Sequence, residues 1–376
     1  MSSRPSSSLR MVLNLLVVFE RAMKKNFKNI LIVRTDRIGD VILTTPSIAA
    51  LRKAYPEARI SVLVSPGTRD LIAGNPYIDE VLVDDGKKAH RGLSGFLRLV
   101  TALKKKHFDL AVVFHTKKRT NLLCVLAGIP YRLGYKNDKL GFFLTHPVED
   151  TRHRGEKHEA QYCLDLLNHL GIEAEEIEVH ISLQKESEAW ARQWLSQNHV
   201  AADDRLVAVH PGASDPSKRW PEACFADLIG RLLERYHGKV VLIGDTQIHE
   251  TAGKILAKIP GVSMGHPGRV FDLTGQTSVS QLASLLKRCN LLISNDSGPV
   301  HVAAGVGTAV VSIFTRNQAG INPERWRPLG KKTRVISAPY NDKVSFAKAG
   351  NAPSHDSEMI TTEQVLEAVD ALFKLC

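Results

Sequence analysis

The chain has 376 residues, 43% hydrophobic, 24% charged and 6% aromatic, the make-up of a soluble globular protein long enough for two hydrophobic cores. Its five cysteines are scattered with no CxxC pair, which argues against a structural zinc site or disulfide framework and for a reducing cytosol. The net charge of +11 is uneven: residues 1–182 hold 28 Lys and Arg against 20 Asp and Glu, +8, and the rest 22 against 19, +3. A basic first half suits nucleic acid, an anionic membrane surface or a phosphorylated substrate.

Residues 11–19, MVLNLLVVF, form an apolar run between Arg10 and the basic Arg21, Lys24 and Lys25. The run is about half the ~20 residues needed to span a bilayer, and no small-residue cleavage site follows it. It reads as a short amphipathic helix lying on an anionic membrane, against the alternatives of a disordered extension or a translation start at Met23. From Asn29 short β-rich runs (NILIVRT, RISVLVS, EVLVDD, DLAVVFH) alternate with helical patterns (TPSIAALRKAYP, GFLRLVTALKKKH), the mark of βαβ units and a parallel sheet. Two helices bracket VHISLQKE between residues 150 and 205. The alternation then restarts with RLVAVHPGA, KVVLIGD, NLLISND and AVVSIFT, and closes on a helix for which Thr361 is a cap with Gln364 three residues on. Two such series predict an α/β chain of two Rossmann-like doubly wound domains facing across a cleft. The expected divisions are an extension at 1–28, a first domain at 29–182 and a second at 183–376.

The first strand runs into VRTDRIGDVILTTP, where a phosphate loop of such a fold would be glycine-rich. This one carries two arginines, two aspartates and a single glycine, Gly39. In the second half three loops follow strand ends. HPGASDPSKRWP offers backbone amides at Gly212, Ala213 and Ser214 and a compact charge at Lys218, which suits a diphosphate. SNDSGPVHVAAG lets Asp296 or Ser297 cap a helix, with Gly298 admitting a ligand and Pro299 in the first turn, so that the amide end favours an anion. Between them, Asp245 or Glu250 of IGDTQIHE can meet a ribose, and LTGQTS, with Thr277, can line a base pocket. In order, these loops describe a nucleotide site.

Together GDVILTTP, HPGASDPSKRWP, VVLIGDTQIHE and DLTGQTSVSQLASLLKRCNLLISNDSGPVHVAAG resemble glycosyltransferase family 9, the ADP-heptose:lipopolysaccharide heptosyltransferases, and most of all its heptosyltransferase II branch. The resemblance spans roughly residues 29–340. It implies the GT-B fold, with the ADP-sugar donor on the C-terminal domain and the acceptor on the N-terminal one. It further implies inverting heptose transfer from ADP-L-glycero-D-manno-heptose to the lipopolysaccharide inner core, with no metal and no cofactor beyond the donor. By the same resemblance Asp40 is the general base, Lys218 binds phosphate, Asp296, Ser297 and Gly298 form the diphosphate loop with His301, and Glu250 meets the ribose. The chain departs from the family at Thr315-Arg316-Asn317, where a small pair is usual, and in its own variant of the acceptor loop, FHTKKRTN.

Asp36 is the competing carboxylate, better read as a cap or a partner of Arg34. Arg34 and Arg37 are expected to face the anionic acceptor or donor rather than Asp40, alongside Lys117 and Arg119. Gly39 is read as giving the acceptor room. His301 reads as a packing or orienting residue, and His115, His153 and His158 as acceptor contacts by position alone. A basic acceptor domain suits the phosphate-rich lipopolysaccharide core at the inner membrane's cytoplasmic face. A nicotinamide dehydrogenase is disfavoured because no GxGxxG follows a strand, and a nucleic-acid binder because no such module is recognisable. The surviving alternatives are a family 9 enzyme for another sugar or position, and a catalytically silent nucleotide-sugar-binding protein.

Overall fold

A computed structural model describes residues 26–136, 140–174, 176–259, 268–341 and 360–374. The apolar run at residues 11–19 lies outside them, and no helix among the described residues is long and apolar enough to cross a membrane. Phe27, within the segment read as an extension, already packs in the first core, edge-on to Tyr55 and Tyr131.

The first sheet contains β1 (Asn29–Val33), β2 (Arg59–Val64), β3 (Glu80–Val83), β4 (Leu110–Val113), β5 (Tyr131–Tyr135) and β6 (His146–Val148), in the order β3-β2-β1-β4-β5-β6. The second contains β7 (Leu206–His210), β8 (Lys239–Leu242), β9 (Val270–Asp272), β10 (Leu291–Asn295), β11 (Ala309–Phe314) and β12 (Thr333–Ser337), in the order β9-β8-β7-β10-β11-β12. Every pairing is parallel. The central strands are buried along their length, apart from Asn29 at the start of β1, because helices cover both faces, which is why they read as apolar runs. Both halves therefore have the doubly wound order, and this is the GT-B architecture. In each, the order reverses between the first and fourth strands of the half, the crevice where ligands bind in open α/β sheets.

Helix α1 (Ile38–Ala54) decides how the halves meet. It begins directly after Arg37, so Gly39 and Asp40, which stand where a phosphate loop would be, lie in the first turn of a helix. Pro46 inside it cannot donate to the Ile42 carbonyl, and Thr45 Oγ1 donates there instead at 2.7 Å. Along the chain follow α2 (Gly92–Lys104), α3 (Lys118–Leu126), α4 (Glu159–Leu167), α5 (Lys185–Gln197), α6 (Glu222–Tyr236), α7 (His249–Lys258), α8 (Val279–Leu286), α9 (Gly298–Gly305), α10 (Pro323–Trp326) and α11 (Thr362–Phe373). Helix α1 packs on α4 of its own half and on α9 of the other. It carries Ile42 into the core formed by Val300, Val302 and Leu282. Thr361 caps α11 with a capping box to Gln364, as the sequence indicates.

The seam between α1 and α9 is close. A Cβ on Gly39 would lie 2.6 Å from His301 Cδ2, and one on Gly298 would lie 3.3 Å from Ile38 Cβ. Gly39 thus makes room for a side chain of the other half, not for the acceptor as the sequence suggested. Gly39→Ala should lower stability by about 1–3 kcal/mol through this overlap, whereas Gly67→Ala, with nothing within 4 Å, should be near neutral. Urea denaturation of the two variants distinguishes them; equal midpoints would contradict the close seam.

Candidate active site at the seam between the sheets

Arg34 follows β1 and is 1% exposed. Its Nη2 donates to Asp40 Oδ1 at 2.6 Å and to Glu159 Oε1 at 3.0 Å, and its Nη1 to the Phe114 carbonyl at 2.8 Å. Nε lies 3.0 Å from Asp36 Oδ1, an ion pair without the alignment of a hydrogen bond. Burial works against the guanidinium's charge, but Asp36, Asp40, Cys163 and Glu159 outweigh it and hold its pKa well above the ordinary value. Arg34 therefore turns inward to Asp40, contrary to the expectation that it faces the acceptor or donor. Asp36 is its partner, as read. Asp40 keeps 14% of its side chain exposed, so its carboxylate is fixed yet reachable.

Across the seam, Lys218 Nζ lies 2.5 Å from Asp296 Oδ2. The loop carrying Lys218 is stapled to β10: the Trp220 amide donates to Asn295 Oδ1 at 3.0 Å, Asn295 Nδ2 donates to the Pro211 carbonyl at 2.7 Å, and the buried Trp220 indole donates to the Ile360 carbonyl at 2.9 Å. Arg316 and Thr315, the departure from the family pattern, clamp the same loop. Arg316 Nη1 donates to Asp215 Oδ2 at 3.0 Å and Ser217 Oγ at 2.9 Å, and Thr315 Oγ1 donates to the Ser217 carbonyl at 2.9 Å.

Ser297 occupies the N-cap of α9, but neither it nor Asp296 caps the helix through its side chain. Asp296 is held by Lys218, and Ser297 Oγ pairs with Ser294 Oγ at 2.9 Å and His210 Nδ1 at 3.1 Å. The amide end of α9 keeps its preference for an anion without a side-chain cap, beside a lysine. His301, 4% exposed, lies against Gly39 and within electrostatic reach of Asp40, Asp296 and Lys218, so it marks where the two halves of the site converge. Its Nδ1 has no hydrogen-bond partner among the described residues. Gly212 and Ala213 are buried, Gly212 against Ile248, and Ser214 is exposed.

Other expected residues fall further out. Glu250 lies in the first turn of α7 with its side chain 81% exposed and is paired with Lys254, one turn on. Asp245 is exposed and accepts from the Gln247 amide at 3.0 Å. Thr277 is half-buried just before Ser278, which caps α8. Arg37 is exposed at the N-cap of α1. Lys117 donates to the Thr35 carbonyl at 2.8 Å and Arg119 forms a two-point pair with Asp84 at 2.7 and 2.8 Å, so Arg119's charge is spent within the first half. Both line a cavity of about 520 Å³ with Thr35, Gly67, Lys87 and Lys88. The histidines divide: His153 is exposed, His115 is buried beside Thr120, and His158 caps α4 and donates to the Arg327 carbonyl at 2.9 Å, a contact between the halves. His115 and His158 are thus structural groups here, not contacts open to an acceptor.

A model of glycosyltransferase family 9 (heptosyltransferase) matches residues 96–354. The chain belongs to glycosyltransferase family 9. It is 26% identical over 351 residues to lipopolysaccharide heptosyltransferase 2 of Escherichia coli K12, covering 91% of this chain and 98% of that one. Among solved structures, a family 9 glycosyltransferase from Veillonella parvula superposes with a TM-score of 0.80 at 27% identity, covering 93% of this chain and 98% of that one. The Escherichia coli ADP-heptose lps heptosyltransferase II shares the fold with a TM-score of 0.74 at 23% identity over 92% and 98% of the two chains.

This family 9 transferase contains site residues that the sequence does not announce: His210, Glu159 and Arg325. Their deciding partners, Ser294 for His210, Arg34 for Glu159, and Glu159 for Arg325, lie 84, 125 and 166 positions away, beyond any local spacing. Burial pushes the pKa of both His210 and His301 down to about 4. Both are therefore neutral near pH 7, and His210 serves the loop as a hydrogen-bonding group. The unfolded chain binds these two protons below about pH 6.5 while the folded chain does not, so stability falls as pH drops from about 6.5 toward about 4. Each should contribute about 2 kcal/mol of loss between about pH 7 and about pH 5. Urea denaturation at the two pH values measures this, and His210→Gln should lessen the loss by about 2 kcal/mol while His301's share remains.

Proposed function

We propose that this glycosyltransferase moves a heptose from ADP-L-glycero-D-manno-heptose to the inner core of lipopolysaccharide, inverting the anomeric centre without a metal ion. The observation that carries this is that the first turn of α1, with the fixed carboxylate Asp40, abuts the start of α9, with Asp296 held by Lys218, across one seam where Gly39 meets His301 and Gly298 meets Ile38. The acceptor hydroxyl oxygen bonds to the anomeric carbon as the bond from that carbon to the diphosphate oxygen breaks. Asp40 takes the hydroxyl proton and ADP departs with the bonding pair. Positive charge fixed before reaction receives the charge developing on the diphosphate, and Lys218 with the helix end supplies it. The donor belongs to residues 183–376, with Ser214, Thr277, Asp296, Ser297, Gly298 and His301 around it and the exposed Glu250 or Asp245 toward the ribose. The acceptor belongs to residues 29–182, where the cavity beside Thr35 sets Lys87, Lys88 and Lys117 against Asp85 and the Arg119-paired Asp84, a net positive wall for an anionic saccharide.

The acceptor sits at the cytoplasmic face of the inner membrane in this reading, and α2 suits that surface. Residues 86–108 hold seven Lys and Arg and no Asp or Glu. On the same helix Leu93 is 74% and Leu97 46% exposed, one turn apart. Apolar side chains amid cations favour an anionic bilayer.

Asp40→Asn should cut transfer by about a thousandfold while ADP binding, read by calorimetry, stays intact; undiminished turnover rules out this base. Lys218→Ala should weaken ADP binding by about tenfold or more, and a chelator should leave the wild-type rate unchanged. The double variant Leu93→Glu, Leu97→Glu should sediment several-fold less with phosphatidylglycerol vesicles and still glycosylate a delipidated acceptor. Unchanged sedimentation contradicts the docking of α2.

A further inference from the structure

The carboxylate that receives the proton is held by a chain of charges that begins in the other half of the molecule. Glu159, fully buried in the first turn of α4, accepts from Arg34 on Oε1 at 3.0 Å and from Arg325 on Oε2 at 2.8 Å (Nη2) and 3.0 Å (Nε). The first-turn position favours a carboxylate by the helix dipole. Arg152 Nη1 stands 3.6 Å from Oε1. The Nη2 of Arg34 that holds Glu159 is the nitrogen that holds Asp40.

Arg325 is itself fixed at both ends. Its amide is capped by Asn322 Oδ1 at 3.0 Å in α10, which follows β11 of the second sheet. Its Nη1 donates to the Arg152 carbonyl at 2.8 Å. Asn322 Nδ2 donates to the Gly155 carbonyl at 3.2 Å, and a Cβ on Gly155 would lie 2.6 Å from the Gly320 amide nitrogen, so backbone meets backbone here. Polar atoms of both halves are satisfied in this contact.

We propose that Arg325 and Glu159 are positioning residues for the transfer: Arg325 of the donor half fixes Glu159, Glu159 fixes the Arg34 fork, and the fork orients Asp40 toward the acceptor hydroxyl. In this relay both act through Arg34 rather than on the substrate, Glu159 being fully buried and the exposed part of Arg325 small. A buried carboxylate with two arginines on its two oxygens leaves each arginine one direction to point, and a fork bound on both sides cannot rotate its third partner away. The general base of one half is thereby aligned only while the donor half is seated against it. The proposal rests on Asp40 as the base.

The test is steady-state transfer from ADP-heptose by the full chain carrying Arg325→Ala, Arg325→Lys or Asp40→Asn, with ADP affinity measured alongside. Arg325→Ala should lower kcat by about tenfold or more while KM for ADP-heptose and ADP affinity stay within about twofold, because a misaligned base slows chemistry without touching donor binding. Arg325→Lys, which returns a charge opposite Glu159 but not the paired donors to Glu159 and the Arg152 carbonyl, should recover part of the lost kcat, to a rate between those of Arg325→Ala and the wild type. An unchanged kcat in Arg325→Ala, a loss carried by KM or ADP affinity, or no recovery in Arg325→Lys overturns the relay. If Arg325→Ala fails to fold, Arg325→Lys decides: a lowered kcat with KM and ADP affinity unchanged supports the relay, and an unchanged kcat overturns it. Full turnover by Asp40→Asn shows instead that the base is misassigned, an outcome separate from any result at Arg325.

Discussion

The architecture of the site depends on one buried cation. Arg34, at the end of the central strand of the first sheet, places a guanidinium where water does not reach. Breaking such a buried pair costs about 3–5 kcal/mol, because the charge left behind has no solvent. An exposed pair such as Arg231 with Asp227 is screened by water and constrains little. Arg34 therefore requires carboxylates close by, and the chain supplies them from three places: Asp36 just beyond the strand, Asp40 in the first turn of α1, and Glu159 at the start of α4. The start of α1, the seating of α4 and the orientation of Asp40 all follow from satisfying that one charge.

The two halves repeat one topology and divide the work between their switch points. In the second half the crevice between β7 and β10 keeps the features of an anion site: a lysine, a helix end without a side-chain cap, and a loop stapled by Trp220 and Asn295. In the first half the equivalent crevice holds carboxylates around an arginine. The absence of a phosphate loop after β1 is thus not a defect of the fold. Asp40 carries its charge there, and the seam between Gly39 and His301 brings it to the donor side.

The architecture was largely legible because burial on both faces of a parallel sheet leaves unbroken apolar runs, and NILIV, RISVLV, LLISN and AVVSIF are such runs. Short edge strands such as His146–Val148 and Val270–Asp272 carry too few residues to show a pattern and were not visible. Lys218, Asp296 and Asp40 stood out because each sits in a local motif after a strand. The role of Arg34 was read the wrong way round, since nothing near it in the chain announces Glu159, 125 positions on. Glycines misled in a similar way: the need for space at Gly39 was evident, but what fills it, His301, belongs to the far half.

The central claim is that Asp40, Lys218 and the end of α9 serve one displacement between an ADP-sugar and a lipopolysaccharide acceptor. The most direct test incubates the wild-type chain with ADP-heptose and a panel of truncated lipopolysaccharides and weighs the products by mass spectrometry. The account predicts one heptose added to an inner-core acceptor, with one ADP released for each. Tight ADP binding with no product on any acceptor would contradict it and identify the protein as a silent nucleotide-sugar binder.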